Sequence, residues 1–158
     1  MPLEKDKTIA EELRYLTYQN IAAFDENVTD GESLAYYENS QIDNAIVYGN
    51  TLSGRVGNYF EKYDVKLVLN DREISSSCSC GNDRKICRHA IALLYAWIHD
   101  AADFVNIAEV LKIIKTFDKA RLVEIVGNML QNQPQLADVF LAKKKPNWNE
   151  IELNPTLE

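Results

Sequence analysis

Residues 75–98 read SSSCSCGNDRKICRHAIALLYAWI, and they mark where a strand pattern gives way to a helical one. Cys78, Cys80, Cys87 and His89 are spaced as C-x-C, six intervening residues, then C-x-H, and residues 90–98 follow as an unbroken apolar run. On a strand, positions i and i+2 point to the same side, so Cys78 and Cys80 at a strand end face one point. Inside a regular helix i and i+2 diverge, which places Cys87 at a helix cap and His89 in the first turn. Gly81 and the polar loop NDRK between them let the chain turn back. Three thiolates and an imidazole are the donor set of a closed tetrahedral zinc site, with Zn–S near ~2.3 Å and Zn–N near ~2.0 Å. Such a site carries a net charge of −1, which a helix N-terminus stabilises, and soft thiolates select zinc over hard cations. All four ligands come from the protein, leaving no open position for water or substrate. The spacing therefore predicts one structural Zn²⁺ and no catalytic residue.

Three other readings compete for the same residues. Incidental buried thiols would not gather all three cysteines and one of only two histidines into this span. A redox pair at Cys78 and Cys80 leaves Cys87 and His89 without a role. A Cys–His nucleophile lacks the Gly-rich elbow and oxyanion-forming loop that such chemistry needs. An odd cysteine count without an apolar signal core also makes a disulfide framework a poor reading.

Working outward, the chain before the cysteines has the period of strands. Over residues 62–69, Tyr63, Val65, Leu67 and Leu69 alternate with Lys62, Asp64 and Lys66. Asn70-Asp71 is a tight turn into residues 73–80, where Ile74, Ser76, Cys78 and Cys80 share a face. Upstream, Gly49-Asn50 separates residues 45–48 from residues 52–56 as a hairpin signal, and Tyr36 and Tyr37 fall in a β-prone run. Residues 33–80 thus read as an antiparallel meander of four or five strands. After the cysteines, residues 90–98 are apolar almost all round, so this helix needs cover on two sides, which the sequence assigns to residues 103–141. A second helix is expected over 103–115 (Phe104, Ile107, Leu111, Ile114). A third starts at an Asp118 cap (Leu122, Ile125, Val126, Met129), and a short fourth opens at Pro134. At the other end, residues 8–24 read as a helix with a Thr8–Glu11 capping box, followed by a polar break at 25–32. The fold class is α+β: an antiparallel β-meander leading into the CxC…CxH zinc site and an apolar helix, then a small helical C-terminal part. The expected partition is 1–32 acidic helical extension, 33–100 zinc-binding meander and helix, 101–142 helical extension packed on it, and 143–158 a loose tail.

At residues 78–94 the sequence CSCGNDRKICRHAIALL resembles the SWIM zinc finger, whose motif is C-x-C, a variable loop, then C-x-H. The preceding NTLSGRVGNYFEKYDVKLVLNDREISSSCSC resembles the strands that lead into that motif, and Arg88 stands where the family often places Lys or Arg. The resemblance runs from about residue 50 to 97, extends more weakly from 33 and over 118–141, and leaves 1–32 uncovered. The loop here is shorter than usual, without the Pro-Tyr and extra Gly often found after the second cysteine. No ATPase or transposase domain is expected within these 158 residues. The resemblance implies a binding module whose ATPase-like or recombinase-like partners are separate chains, in a DNA-related setting.

Composition narrows the function classes. The 158 residues carry a net charge of −7, and residues 1–43 hold ten Asp/Glu against three Lys/Arg, so the remainder is neutral. A pI near 4.9 argues against coating nucleic acid through a general field. The local exception is Arg84, Lys85 and Arg88 beside the metal, backed by Arg55, Lys62 and Lys66, a candidate contact for phosphate or a partner; a solvated loop offsetting the thiolates is the plainer alternative. Tyr59, Phe60 and Tyr63 are candidate stacking rings, although hairpin packing suits Tyr63 better. His99 reads as a favourable neighbour of a helix C-terminus, and Lys143, Lys144, Lys145 and Trp148 as solvated tail. The expectation is a non-enzymatic zinc module acting as an adaptor with a protein partner, with nucleic acid contacted directly or through that partner. No membrane and no small-molecule substrate are expected, and the expected location is cytoplasmic, or nucleoid or nuclear within a DNA-associated complex. The competing reading is a direct nucleic-acid binder using the basic loop.

Overall fold

The computed structural model describes residues 6–71, 73–82 and 85–141. The meander forms as β1 (Gln41–Tyr48), β2 (Thr51–Gly57), β3 (Lys62–Asn70) and β4 (Glu73–Cys78), each antiparallel to the next. The alternation in β3 works as its sequence demands: Val65, Leu67 and Leu69 are buried while Asp64 and Lys66 face solvent. A fifth strand, β5 (Val105–Asn106), adds in parallel to β1, so the sheet is mixed, in the order β4-β3-β2-β1-β5. The antiparallel meander is as expected, and the parallel fifth strand is an addition from distant sequence that leaves no local signal.

The apolar run forms α4 (Arg88–Asp100), buried continuously from His89 to Trp97. One side lies on the sheet at Gly54, where a Cβ would come within 3.3 Å of Leu93 Cδ1 and 3.4 Å of the Asp43 carbonyl. Glycine there lets the helix settle close to the strands. The opposite cover is not what residues 103–141 were expected to supply. It comes from α2 (Tyr18–Thr29) and α3 (Glu32–Glu38), with Phe104 set edge-on to Trp97 at 5.1 Å.

The N-terminal third therefore builds core instead of extending from it, and three expectations change there. The 8–24 helix is broken at 15–17 into α1 (Glu11–Arg14) and α2, and Thr8 turns its hydroxyl and N–H to Asp6 and forms no box with Glu11. The capping box that does form pairs Thr17 with Asn20, where asparagine replaces the usual Glu or Gln. The polar break expected at 25–32 is mostly helix, since α2 continues to Thr29, and Tyr36 and Tyr37 lie in α3, not on a strand.

The helical course of residues 25–38 centres on Asp25. Asp25 is 1% exposed, and its carboxylate accepts hydrogen bonds from Ser33 N–H (3.3 Å), Leu34 N–H (3.2 Å), the Tyr95 hydroxyl (3.1 Å) and the Thr29 hydroxyl. It caps α3 from a distance, where Gly31 at the cap position has no side chain to do so. Burial works to raise the Asp25 pKa, but the bonds from Ser33, Thr29 and Tyr95 outweigh it and hold the carboxyl below its ordinary value. One buried acid ties three helices together, and the Trp97 indole N–H adds a bond to the Leu13 carbonyl at 2.9 Å.

The chain divides into two compact units, residues 1–112 and 113–158. Where a helix was expected over 103–115, a 3₁₀ turn (Ala101–Asp103) and β5 come first, and α5 spans Ile107–Ile114. In the second unit, Asp118 caps α6 (Lys119–Asn132) by accepting from Arg121 N–H at 2.8 Å. Pro134 opens a 3₁₀ turn (Pro134–Ala137) that leads into α7 (Asp138–Leu141). The tail expected to be loose, 143–158, lies outside the described residues.

Candidate metal centre

The β3–β4 register pairs Val65 with Cys78, and one further pair of bonds carries the ladder past the strand end: Ser79 N–H to the Asp64 carbonyl (3.0 Å) and Asp64 N–H to Ser79 Oγ (2.9 Å). The strand expected to run through Cys80 ends at Cys78, and these bonds pin the turn at Ser79 and Cys80 against β3 so that both thiols converge on one point. Gly81, at a φ of +67°, then turns the chain. The returning segment is anchored by buried Ile86 and by Ser76 Oγ donating to the Lys85 carbonyl at 3.0 Å. Cys87 is the N-cap of α4, its carbonyl accepting from Ala90 and Ile91 N–H, and His89 occupies the first turn.

The ligand atoms of Cys78, Cys80, Cys87 and His89 converge, all within 4.8 Å of one another. His89 presents Nδ1, which lies 3.6 Å from Cys78 Sγ and 3.7 Å from Cys87 Sγ. In a tetrahedron with ~2.3 Å Zn–S and ~2.0 Å Zn–N bonds, the S···N edge is about 3.5 Å. The four residues fit a zinc ion.

The electrostatics point the same way. Burial, with the neighbouring Cys80 and Cys87 thiols, pushes the Cys78 thiol up to about 12. Cys80 moves in the opposite direction: burial opposes ionisation, but bonds from Asn82 N–H and the other two thiols outweigh it. Cys78 and Cys80, driven in opposite directions, would both be held as thiolates by a divalent cation joined to them. Burial, then the charge of Arg88, lowers the His89 pKa, which favours the neutral imidazole that ligation requires.

Around this donor set stands an aromatic wall that spacing did not reveal. Tyr63 of β3 stacks on the His89 ring at 4.3 Å, and Tyr36 of α3 meets it edge-on at 4.9 Å. His89 Nε2 is buried without a hydrogen-bond partner among the described residues, so ring packing does the orienting that a carboxylate or carbonyl usually does for a ligating histidine. Strand alternation placed Tyr63 on the inner face; Tyr36 had no signal, because its position depends on α3. His99, in the last turn of α4, stacks on Tyr37 at 5.7 Å and takes no part in the centre.

The basic residues are less concentrated than the sequence suggested. Lys85 and Arg88 are exposed on either side of Cys87, but the Arg88 guanidinium lies over the Tyr36 ring at 4.8 Å. Lys62 pairs with Asp43, and Arg55 with Asp64 at 3.1 Å, while Lys66 is exposed on β3. Arg84 lies outside the described residues. At the β2–β3 turn Tyr59 and Phe60 are 88% and 90% exposed, their rings 5.4 Å apart. That turn is tightly built. Asn58 N–H donates to the Glu61 carbonyl, its Oδ1 accepts from Phe60 and Glu61 N–H at 2.9 Å, and a Cβ on Gly57 would sit 2.0 Å from the Glu61 oxygen.

Residues 63–98 match the family model described as SWIM zinc finger. The match begins at the stacking Tyr63, takes in β3, β4 and all four ligands, and ends near the close of α4. No curated protein and no solved structure matches the chain. The match implies Zn²⁺ binding, and the one Cys3His cluster among the described residues fits that ion. No helix among the described residues is long and apolar enough to cross a membrane.

Proposed function

We propose that the chain is a non-enzymatic SWIM module acting as a protein-interaction adaptor, with a DNA-related complex as its setting. Zinc here holds the end of the sheet to the start of α4, and structural zinc of this kind contributes on the order of 10 kcal/mol to folding. The four-ligand donor set leaves the metal no position for substrate, so function falls to the surface.

One observation carries the adaptor reading: two adjacent aromatic rings, almost fully exposed, stand on a turn too tightly bonded to fold them away. A pre-organised aromatic pair is the usual energetic centre of a protein interface. The neighbouring cations Lys62 and Arg55 are engaged by carboxylates, which favours a protein partner over phosphate. The DNA-related setting rests on the family resemblance.

The test compares two zinc-loaded variants. Tyr59→Ala/Phe60→Ala should abolish photocrosslinking of one defined protein to a benzophenone side chain placed at position 61, while Arg84→Glu/Lys85→Glu/Arg88→Glu should leave it intact. The opposite result, with steeply salt-dependent binding of a fluorescent duplex or single-stranded oligonucleotide lost in the charge-reversal variant, would establish direct nucleic-acid binding instead.

A further inference from the structure

Among the described residues from 113 to 141, none is buried. The sequence of α6 nevertheless carries an apolar stripe at helical spacing, Leu122, Ile125, Val126 and Met129. With the turn and helix that follow, it forms a groove of about 210 Å³ lined by Val126, Met129, Leu130, Leu136, Val139 and Phe140. Helices this short are not stable in water on propensity alone, and their order in proteins comes from burying an apolar face. Among the described residues the unit has the face and lacks the burial.

We infer that the face is a two-fold interface with a second copy of the chain, α6 and α7 of one protomer packing on the same elements of its partner. Two properties select that occupant. From Ile125 to Ala137 the sequence contains no charged residue and none lines the groove, so apposing the groove with itself brings no like charges together, with Asp138 at the start of α7 outside the lining. The available area is also of the right size. Val123, Met129, Val139, Phe140 and Leu141 are each more than half exposed. Together they offer roughly 500 Å² of the about 800 Å² per partner that a standard interface buries, and the groove walls supply more. The ion pair Arg121–Glu124 and the cap Asp118 lie toward the start of α6, at the edge of the uncharged stretch. The inference is independent of the adaptor reading, although a dimer would present two metal centres and two aromatic turns at once.

The experiment is light scattering on the full-length, zinc-loaded protein over a dilution series reaching about 100 μM. The expected mass is twice the 18.0 kDa of the chain. Met129→Glu or Phe140→Glu places two buried charges at the two-fold interface and should weaken self-association by about 30-fold or more. Each variant should keep one zinc per chain, since the metal centre lies in the other unit. Val139→Ser/Phe140→Ser repeats the test without adding charge, and Tyr59→Ser/Phe60→Ser should leave the dimer unchanged. A wild-type monomer at the highest concentration would overturn the inference. So would a dimer that survives the α6 and α7 substitutions, or one dissolved by the turn variant.

Discussion

Replacing Asp25 with alanine tests the claim that one buried acid organises the N-terminal helices. The substitution removes the acceptor for two backbone N–H groups, the Thr29 hydroxyl and the Tyr95 hydroxyl, all around a residue that is 1% exposed. Hydrogen bonds to a charged acceptor contribute about 1.5–3 kcal/mol each but are not additive, and the orphaned donors stay buried, so the expected loss is about 3–5 kcal/mol. That is a large fraction of the ~5–15 kcal/mol that holds a typical domain together. Tyr95→Phe, which removes one donor only, should cost about 1 kcal/mol. Urea unfolding of the zinc-saturated proteins, followed by circular dichroism, measures both. The acid dependence gives a second check with a defined sign. The folded-state pKa of Asp25 lies below its unfolded value of about 3.9, so its contribution is fully present above that value and disappears as pH falls through the folded pKa. The difference between wild type and Asp25→Asn should therefore be constant from about pH 5 to 8 and shrink below about pH 4, loss of zinc in acid being common to both. A cost under about 1 kcal/mol for Asp25→Ala would refute the reasoning, because donors this buried cannot be released to water without rearranging α3.

Three further predictions concern the metal centre and the turn beside it. Removing zinc with a chelator, or substituting Cys87→Ser, should collapse the structure around α4 and expose the thiols to alkylation; cobalt(II) in place of zinc should show the intense visible absorption of a tetrahedral thiolate site. Tyr63→Ala removes the ring stacked on His89 and should weaken zinc affinity by about 10- to 100-fold, as loss of an orienting neighbour usually does, measured by competition with a chromophoric chelator. Gly57→Ala forces a Cβ into the Glu61 carbonyl and should cost about 2–4 kcal/mol in urea unfolding, with the Tyr59 and Phe60 turn opening first.

Much of the metal centre was legible because its determinants are local. Cys78 and Cys80 share a strand end, Cys87 and His89 share a helix start, and a short loop joins them, so spacing alone supplies the donor set. The alternation of Tyr63 through Leu69 and the all-apolar run at 90–98 are equally local, since each states which faces must leave water. What the tertiary structure alone decided depends on partners far apart in the chain. Asp25 looked like part of a polar break, and only Tyr95, seventy positions away, together with the start of α3, makes it a buried hub. Tyr36 and Tyr37 have strand-like propensity, yet the cap that Asp25 supplies puts them on a helix, where Tyr36 reaches His89 and Arg88. The identity of the cover over α4 and the parallel pairing of β5 with β1 were likewise settled by packing. A sequence states which side chains must be buried and which atoms seek a metal; which distant surface meets that need is set by the competition among all of them in three dimensions.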